Sequence, residues 1–232
     1  MGEKPIKGFP FQSLTHSMIK NRLKIKKLVS ILVFVLAFTN TNAQSILTKN
    51  SKMSDKLEIA TLANGCFWCT EAIFQRLNGV EKVTSGYSGG KVKNPTYSEV
   101  STGETGHAEV IQIQFNPSVI TFQEILEVFF ATHDPTTLNK QGYDVGTQYR
   151  SAIFYHSAAQ KEVAEAFINA LTDAKVFDKK IVTVVTAFDA FYEAEAYHQN
   201  YYNNNKNQGY CVAVINPKLE KFIKKYKDKL KK

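Results

Sequence analysis

Cysteine is scarce in this chain: three residues in 232, at positions 66, 69 and 211. In an exported protein an odd, small number argues against a purely structural disulfide framework and leaves at least one thiol free or exchanging partners. The five histidines and three cysteines lack the spacing of zinc ligands, so no metal is expected. Tryptophan occurs once, as Trp68. No internal repeat and no low-complexity block is present. The apolar stretch Leu28–Phe38 has 11 residues, well short of the ~20 a membrane-spanning helix needs.

That stretch follows a basic run (Lys20, Arg22, Lys24, Lys26, Lys27) and precedes the small, polar Thr39-Asn40-Thr41-Asn42-Ala43-Gln44. The order matches the three regions of a secretory signal peptide. Residues 1–43 are therefore expected to be a signal cleaved after Ala43, with Met18 as an alternative start; an uncleaved membrane anchor is the competing reading. The segment carries seven Lys/Arg and one acid, so it supplies +6 of the chain's +8 and leaves about +2. Residues 218–232 carry eight lysines and two acids, again +6, so residues 44–217 are near −4. A basic end of this kind is usually a solvated helix terminus, and nothing else in the chain suggests nucleic acid. Residues 44–56 read as a polar linker, and 227–232 as a basic tail. The remaining length suits one domain with a real core.

Leu57–Ala63 alternates as a strand, and Asn64-Gly65 turns the chain into a helix over 66–77. Strands are predicted at 80–87, 107–115, 150–156 and 181–187, and helices at 121–132 and 157–174, the latter capped by Ser157. Thr96 with Glu99, and Thr121 with Glu124, have capping-box spacing. Residues 133–149 read as a long loop, and Asn216-Pro217 opens a lysine-rich helix. The order β-α-β-β-α-β-α-β predicts an α+β two-layer sandwich with a ferredoxin-like (split βαβ) core in a single domain.

Cys66 falls where a helix begins. Unpaired amides there carry partial positive charge, which is expected to lower a thiol's pKa and raise its nucleophilicity. Trp68 beside it offers an aromatic surface for a small apolar or sulfur-bearing group. On the strand 107–115, Glu109 shares a face with Ile111, Ile113 and Phe115. A carboxyl in such company is costly to ionise and is expected to hold a proton near neutrality.

The segment Gly65-Cys66-Phe67-Trp68 after a strand resembles the A-type peptide methionine sulfoxide reductase family. Five further blocks resemble that family in order: Asn94-Pro95-Thr96-Tyr97-Ser98-Glu99-Val100, Gly106-His107-Ala108-Glu109-Val110, Gly142 through Ser151, His198-Gln199-Asn200-Tyr201-Tyr202, and Gly209-Tyr210-Cys211. The resemblance spans roughly 57–226. It implies reduction of methionine-S-sulfoxide, free or in proteins, with Cys66 as nucleophile and Glu109 as acid. It implies Tyr97 and Tyr149 as donors to the sulfoxide oxygen, Phe67 and Trp68 as the pocket for the ε-methyl, and Asp144 as an orienting group. Cys211 matches the usual resolving position, a terminal, exposed disulfide partner. Cys69 departs from the commoner glycine, and the C-x-x-C it forms with Cys66 is close enough to pair, so both remain candidates. Tyr143 departs from a common asparagine. His107 and His198 are assigned scaffold roles.

The resemblance implies a thioredoxin-like reductant; no cofactor is expected, and a monomer is. With the export signal, it implies a periplasmic protein supplied by a membrane-relayed donor. Two alternatives stand beside it. One is a thioredoxin-like disulfide oxidoreductase built on the C-x-x-C, for which no convincing facing proline follows. The other is a secreted, non-catalytic binding module, which leaves Glu109, Tyr97 and Tyr149 unexplained.

Overall fold

The computed structural model describes residues 56–232. The expected signal and all but the last residue of the expected linker lie outside the described residues. The alternating run forms β1 (Glu58–Asn64), and the chain turns at Gly65 into α1 (Phe67–Phe74). Next come β2 (Val80–Ser88), α2 (Tyr97–Ser101), β3 (Ala108–Phe115) and α3 (Phe122–Ala131). A short hairpin follows, β4 (Lys140–Gln141) with β5 (Asp144–Val145), then β6 (Ser151–Tyr155), α4 (Ala158–Asp173), β7 (Val184–Ala187) and β8 (Phe191–Glu193). The chain closes with α5 (Tyr201–Asn204), a π-helical turn Cys211–Ile215 and α6 (Asn216–Lys225).

The main sheet runs β7-β6-β1-β3-β2-β8. Each pair is antiparallel except β6 with β7. Although α1 joins β1 to β2, β3 lies between them. Although α3 stands between β3 and β6 in the chain, β1 lies between those two strands. That double interleaving is the split βαβ arrangement, so the fold is α+β with a ferredoxin-like core in a single domain.

Helix α1 packs on β1, β2 and β3, and α3 packs on β1 and α4. The opposite sheet face carries Ala63, Ala108, Val110, Ala152 and Phe154, covered by the half-buried Phe188 and Phe191. Both faces of β1 are therefore buried, including Thr61, whose hydroxyl is 2.9 Å from His156 Nε2. Both capping boxes form, Thr96 with Glu99 and Thr121 with Glu124, each worth ~1 kcal/mol.

Three segments differ from expectation. The strand predicted from 181 begins at Val184, because the Val182 amide bonds Pro135 O instead of β6. The loop 133–149 holds the β4–β5 hairpin and a 3-10 turn, Thr147–Tyr149. The basic end is tied down: Asn78 N–H donates to Lys229 O, Lys231 N–H to Arg76 O, and Lys229 Nζ sits 3.1 Å from Glu124 and 3.3 Å from Glu127.

Candidate active site

The corner between β1 and α1 needs glycine. Gly65 has φ +92, and a Cβ there would lie 2.6 Å from Gln141 Cγ of the hairpin folded over it. The next residue, Cys66, is the N-cap of α1, but its side chain caps nothing. The first helix amide, Phe67 N–H, donates instead to Glu109 Oε2 at 3.0 Å.

Glu109 stands on β3 opposite Tyr87 of β2 and is 2% exposed. Burial lifts its carboxyl to about 8; the Phe67 amide pulls it back part of the way, and the charges of Asp144 and Cys69 push it up again. The group therefore holds a proton at neutral pH. Burial also raises Tyr97 and Tyr149, and the charge of Glu109 is the next cause for both, with Cys66 contributing. Both phenols stay protonated and lie close enough to feel the charge of the same acid and thiol. Tyr97 is fixed from behind: Glu195 accepts its backbone N–H at 2.8 Å and, through its other oxygen, the Tyr87 hydroxyl at 2.8 Å.

The Cys66 thiol is not acidified in this structure. Burial pushes it well above its ordinary value, and the hydrogen bond and charge of Cys69, then the charge of Glu109, push the same way. The expectation of a thiolate stabilised by the helix start fails chiefly because the thiol is buried; the first helix amide bonds Glu109 besides. Cys69 is lowered to about 7 by its neighbour Cys66, against the cost of its burial. The two thiols shift in opposite directions, Cys66 up and Cys69 down.

Asp144 of β5 accepts the Tyr210 hydroxyl at 2.8 Å, and that hydroxyl lies 3.9 Å from Cys69 Sγ. Trp68 is held on three sides. Its indole N–H donates to His198 Nδ1 at 3.0 Å, Tyr201 stacks on it at 3.6 Å and 7°, and Tyr210 meets it edge-on. Burial lowers His198, against the pull of Glu195, so its ring is neutral. Phe67 is 1% exposed and packs among Trp68, Tyr87, Tyr97 and His198. His107 ties the 90–92 loop through Gly90 N–H and Val92 O.

Cys66, Cys69, Phe67, Trp68, Tyr97, Glu109, Asp144 and Tyr149 thus converge. Cys211 is close enough for the charge of Cys69 to raise it, after burial, but it is 0% exposed rather than an exposed terminal partner. Its π-helical turn packs on α1. All three thiols are free. Sequence reasoning missed Tyr210, Tyr201 and Glu195 as site components. Tyr210 and Tyr201 stood inside the motif blocks, but nothing local marks Glu195, whose partners lie 108 and 98 residues away.

Comparison with known proteins agrees with this geometry. The family described as "Peptide methionine sulfoxide reductase" matches residues 58–231. A peptide methionine sulfoxide reductase MsrA of Sulfolobus acidocaldarius is 60% identical over 173 residues, 75% of this chain and 97% of that protein. Its counterpart in Deinococcus radiodurans is 54% identical over 75% of this chain and 84% of that protein. Among solved structures, the reduced form of Mxr1 from Saccharomyces cerevisiae superposes with a TM-score of 0.62 at 38% identity, covering 67% of this chain and 90% of that one. Methionine sulfoxide reductase A of Corynebacterium diphtheriae gives 0.58 at 34% identity, covering 66% and 76%. The chain belongs to the peptide methionine sulfoxide reductase family.

Proposed function

We propose that this chain is a peptide-methionine (S)-S-oxide reductase in which Cys66 attacks the sulfoxide sulfur while Glu109 delivers a proton to its oxygen. One observation carries the reading: a buried carboxyl, raised to about 8 by that burial, accepts the first amide of the helix that starts directly after Cys66. The step balances without an outside proton. A thiol and a sulfoxide give a sulfenic acid and a thioether; sulfur of Cys66 is oxidised and sulfur of methionine is reduced. Tyr97 and Tyr149 donate to the oxygen as charge develops on it. Trp68, backed by the buried Phe67, receives the methyl group, and Asp144, held by Tyr210, orients the methionine backbone. The test is reduction of the separate S and R epimers of a methionine sulfoxide peptide with dithiothreitol. Reduction of S alone is expected, and activity only on disulfide substrates would overturn the reading.

The sulfenic acid then condenses with a second thiol, releasing water. Cys66 and Cys69 stand one helical turn apart, which favours that pair first, with Cys211 receiving the disulfide by exchange and a thioredoxin-like dithiol reducing it. Disulfide mapping after one turnover is expected to show Cys66–Cys69 trapped in Cys211→Ser. A sulfenic acid persisting in that variant would instead make Cys211 the direct partner.

Residues 1–43 support a further reading: an exported, periplasmic protein supplied with electrons by a membrane-relayed thioredoxin-like donor; a monomer is expected beside it. The mature protein recovered from the cell envelope is expected to begin at Gln44. A membrane-bound form beginning at Met1 or Met18 would mean an uncleaved anchor.

A further inference from the structure

We propose that Glu71 is a positioning residue of the substrate pocket, holding the left-handed turn at Asn200 that lays Tyr201 flat on Trp68. The inference rests on the reductase reading for its kinetic consequence, but not for its structural one.

Glu71 lies three residues after Trp68 on α1 and is 2% exposed. Its Oε1 accepts the Asn200 backbone N–H at 2.8 Å, and Oε2 has no hydrogen-bond partner among the described residues. A buried carboxyl with an unsatisfied oxygen is costly, and an apolar residue in that helix would be cheaper. What the acid secures lies 129 residues away. Asn200 has φ 52 and ψ 31, the left-handed region, and its side chain does not cap α5. Residues other than glycine enter that region at a cost, although asparagine does so more readily than most. The Glu71 bond to the amide holds the turn against relaxation toward negative φ.

The next residue, Tyr201, is the face-on neighbour of Trp68. A second tie lies nearer the surface: Arg76 donates to Asn203 at 3.1 Å, and Asn203 donates to the Asn200 side chain at 2.6 Å. Those bonds hold the side chain of Asn200, whereas Glu71 holds its backbone. Removing the acceptor frees the turn to relax toward negative φ, which swings Tyr201 off the indole. Trp68 then keeps its His198 bond and loses one face. Burial raises Glu71 to about 7 against the pull of the Asn200 and Tyr201 amides. The carboxyl is then as often neutral as charged near pH 7, so a glutamine carbonyl should serve as well.

The sole tryptophan makes this testable. In the full reduced chain, Glu71→Gln is expected to keep both the acrylamide quenching of Trp68 emission and KM for a methionine sulfoxide peptide within ~2-fold of wild type. Glu71→Leu is expected to raise the quenching constant about twofold and KM roughly tenfold, with kcat within ~2-fold. A Leu variant with wild-type quenching and KM, or a Gln variant that matches Leu, overturns the proposal. Independently of any variant, the Asn200 amide of the wild-type chain is expected to exchange with solvent at least ~100-fold more slowly than a free amide. Unprotected exchange there overturns it even if Glu71→Leu does not fold. Absence of sulfoxide reduction by the wild type would sink the functional reading alone, leaving emission and exchange to decide the role of Glu71.

Discussion

Replacing Cys66 with serine is expected to lower kcat/KM by at least ~10³, with no methionine released in a single turnover. The acidities do not by themselves select this thiol. Cys69, lowered to about 7, is the more acidic of the pair, while burial and its neighbours hold Cys66 up. Position selects it. Cys66 precedes the amide that anchors Glu109, whereas Cys69 lies one turn inside α1, 4% exposed and turned toward Tyr210. A protonated Cys66 is no obstacle, because its own proton balances the oxygen it takes from the substrate. In the proposed step the proton of Glu109 goes to the sulfoxide oxygen, the sulfur–oxygen bond breaks as that hydroxyl passes to the Cys66 sulfur, and the thiol proton replaces the one Glu109 gave. Serine fits the same space but has no comparable affinity for electrophilic sulfur and forms no sulfenic acid. Its stability is expected to stay within ~1 kcal/mol of wild type. Retained turnover in Cys66→Ser, with loss in Cys69→Ser, would assign the nucleophile to Cys69.

The sequence made the local geometry legible and hid what distant segments impose. The alternation of Leu57–Ala63, the Asn64-Gly65 corner and the two capping boxes are short-range patterns, and each forms. Glu109 was placed among apolar neighbours by strand period alone, and the carboxyl is buried and raised. The N-cap position alone predicts a lowered Cys66 thiol; burial, with Cys69 and Glu109 beside it, raises it instead, and the first helix amide bonds a side chain 42 residues on. The burial of Cys211 depends on packing of its π-helical turn against α1, which no local pattern records. Glu71 and Glu195 gave no signal for the same reason. Each is one acid in an ordinary stretch, and its meaning comes from a backbone amide brought to it by the fold.

Glu109→Gln is expected to lower the single-turnover rate of methionine formation by ~10²–10⁴ and to remove its fall at alkaline pH. In the wild type the acid holds its proton up to about 8, so the rate should decline as pH rises through that value. Glutamine has no proton to give and nothing to titrate, so its residual rate should lack that limb. The carbonyl of glutamine still accepts the Phe67 amide, which preserves the tie between β3 and α1 and separates loss of the proton from loss of geometry. Stability gives the complementary sign. Folding raises this carboxyl from 4.5, so it favours the protonated form; its stabilising contribution is complete below 4.5 and is lost as pH rises to about 8. Glu109→Gln is therefore expected to gain stability relative to wild type across that interval, most of all above pH 8, in denaturant titrations run at both ends. A variant that is slower yet more stable at alkaline pH fits a buried acid retained for chemistry. A rate within tenfold of wild type, or a wild-type rate flat from pH 7 to pH 9, would remove Glu109 as the proton source.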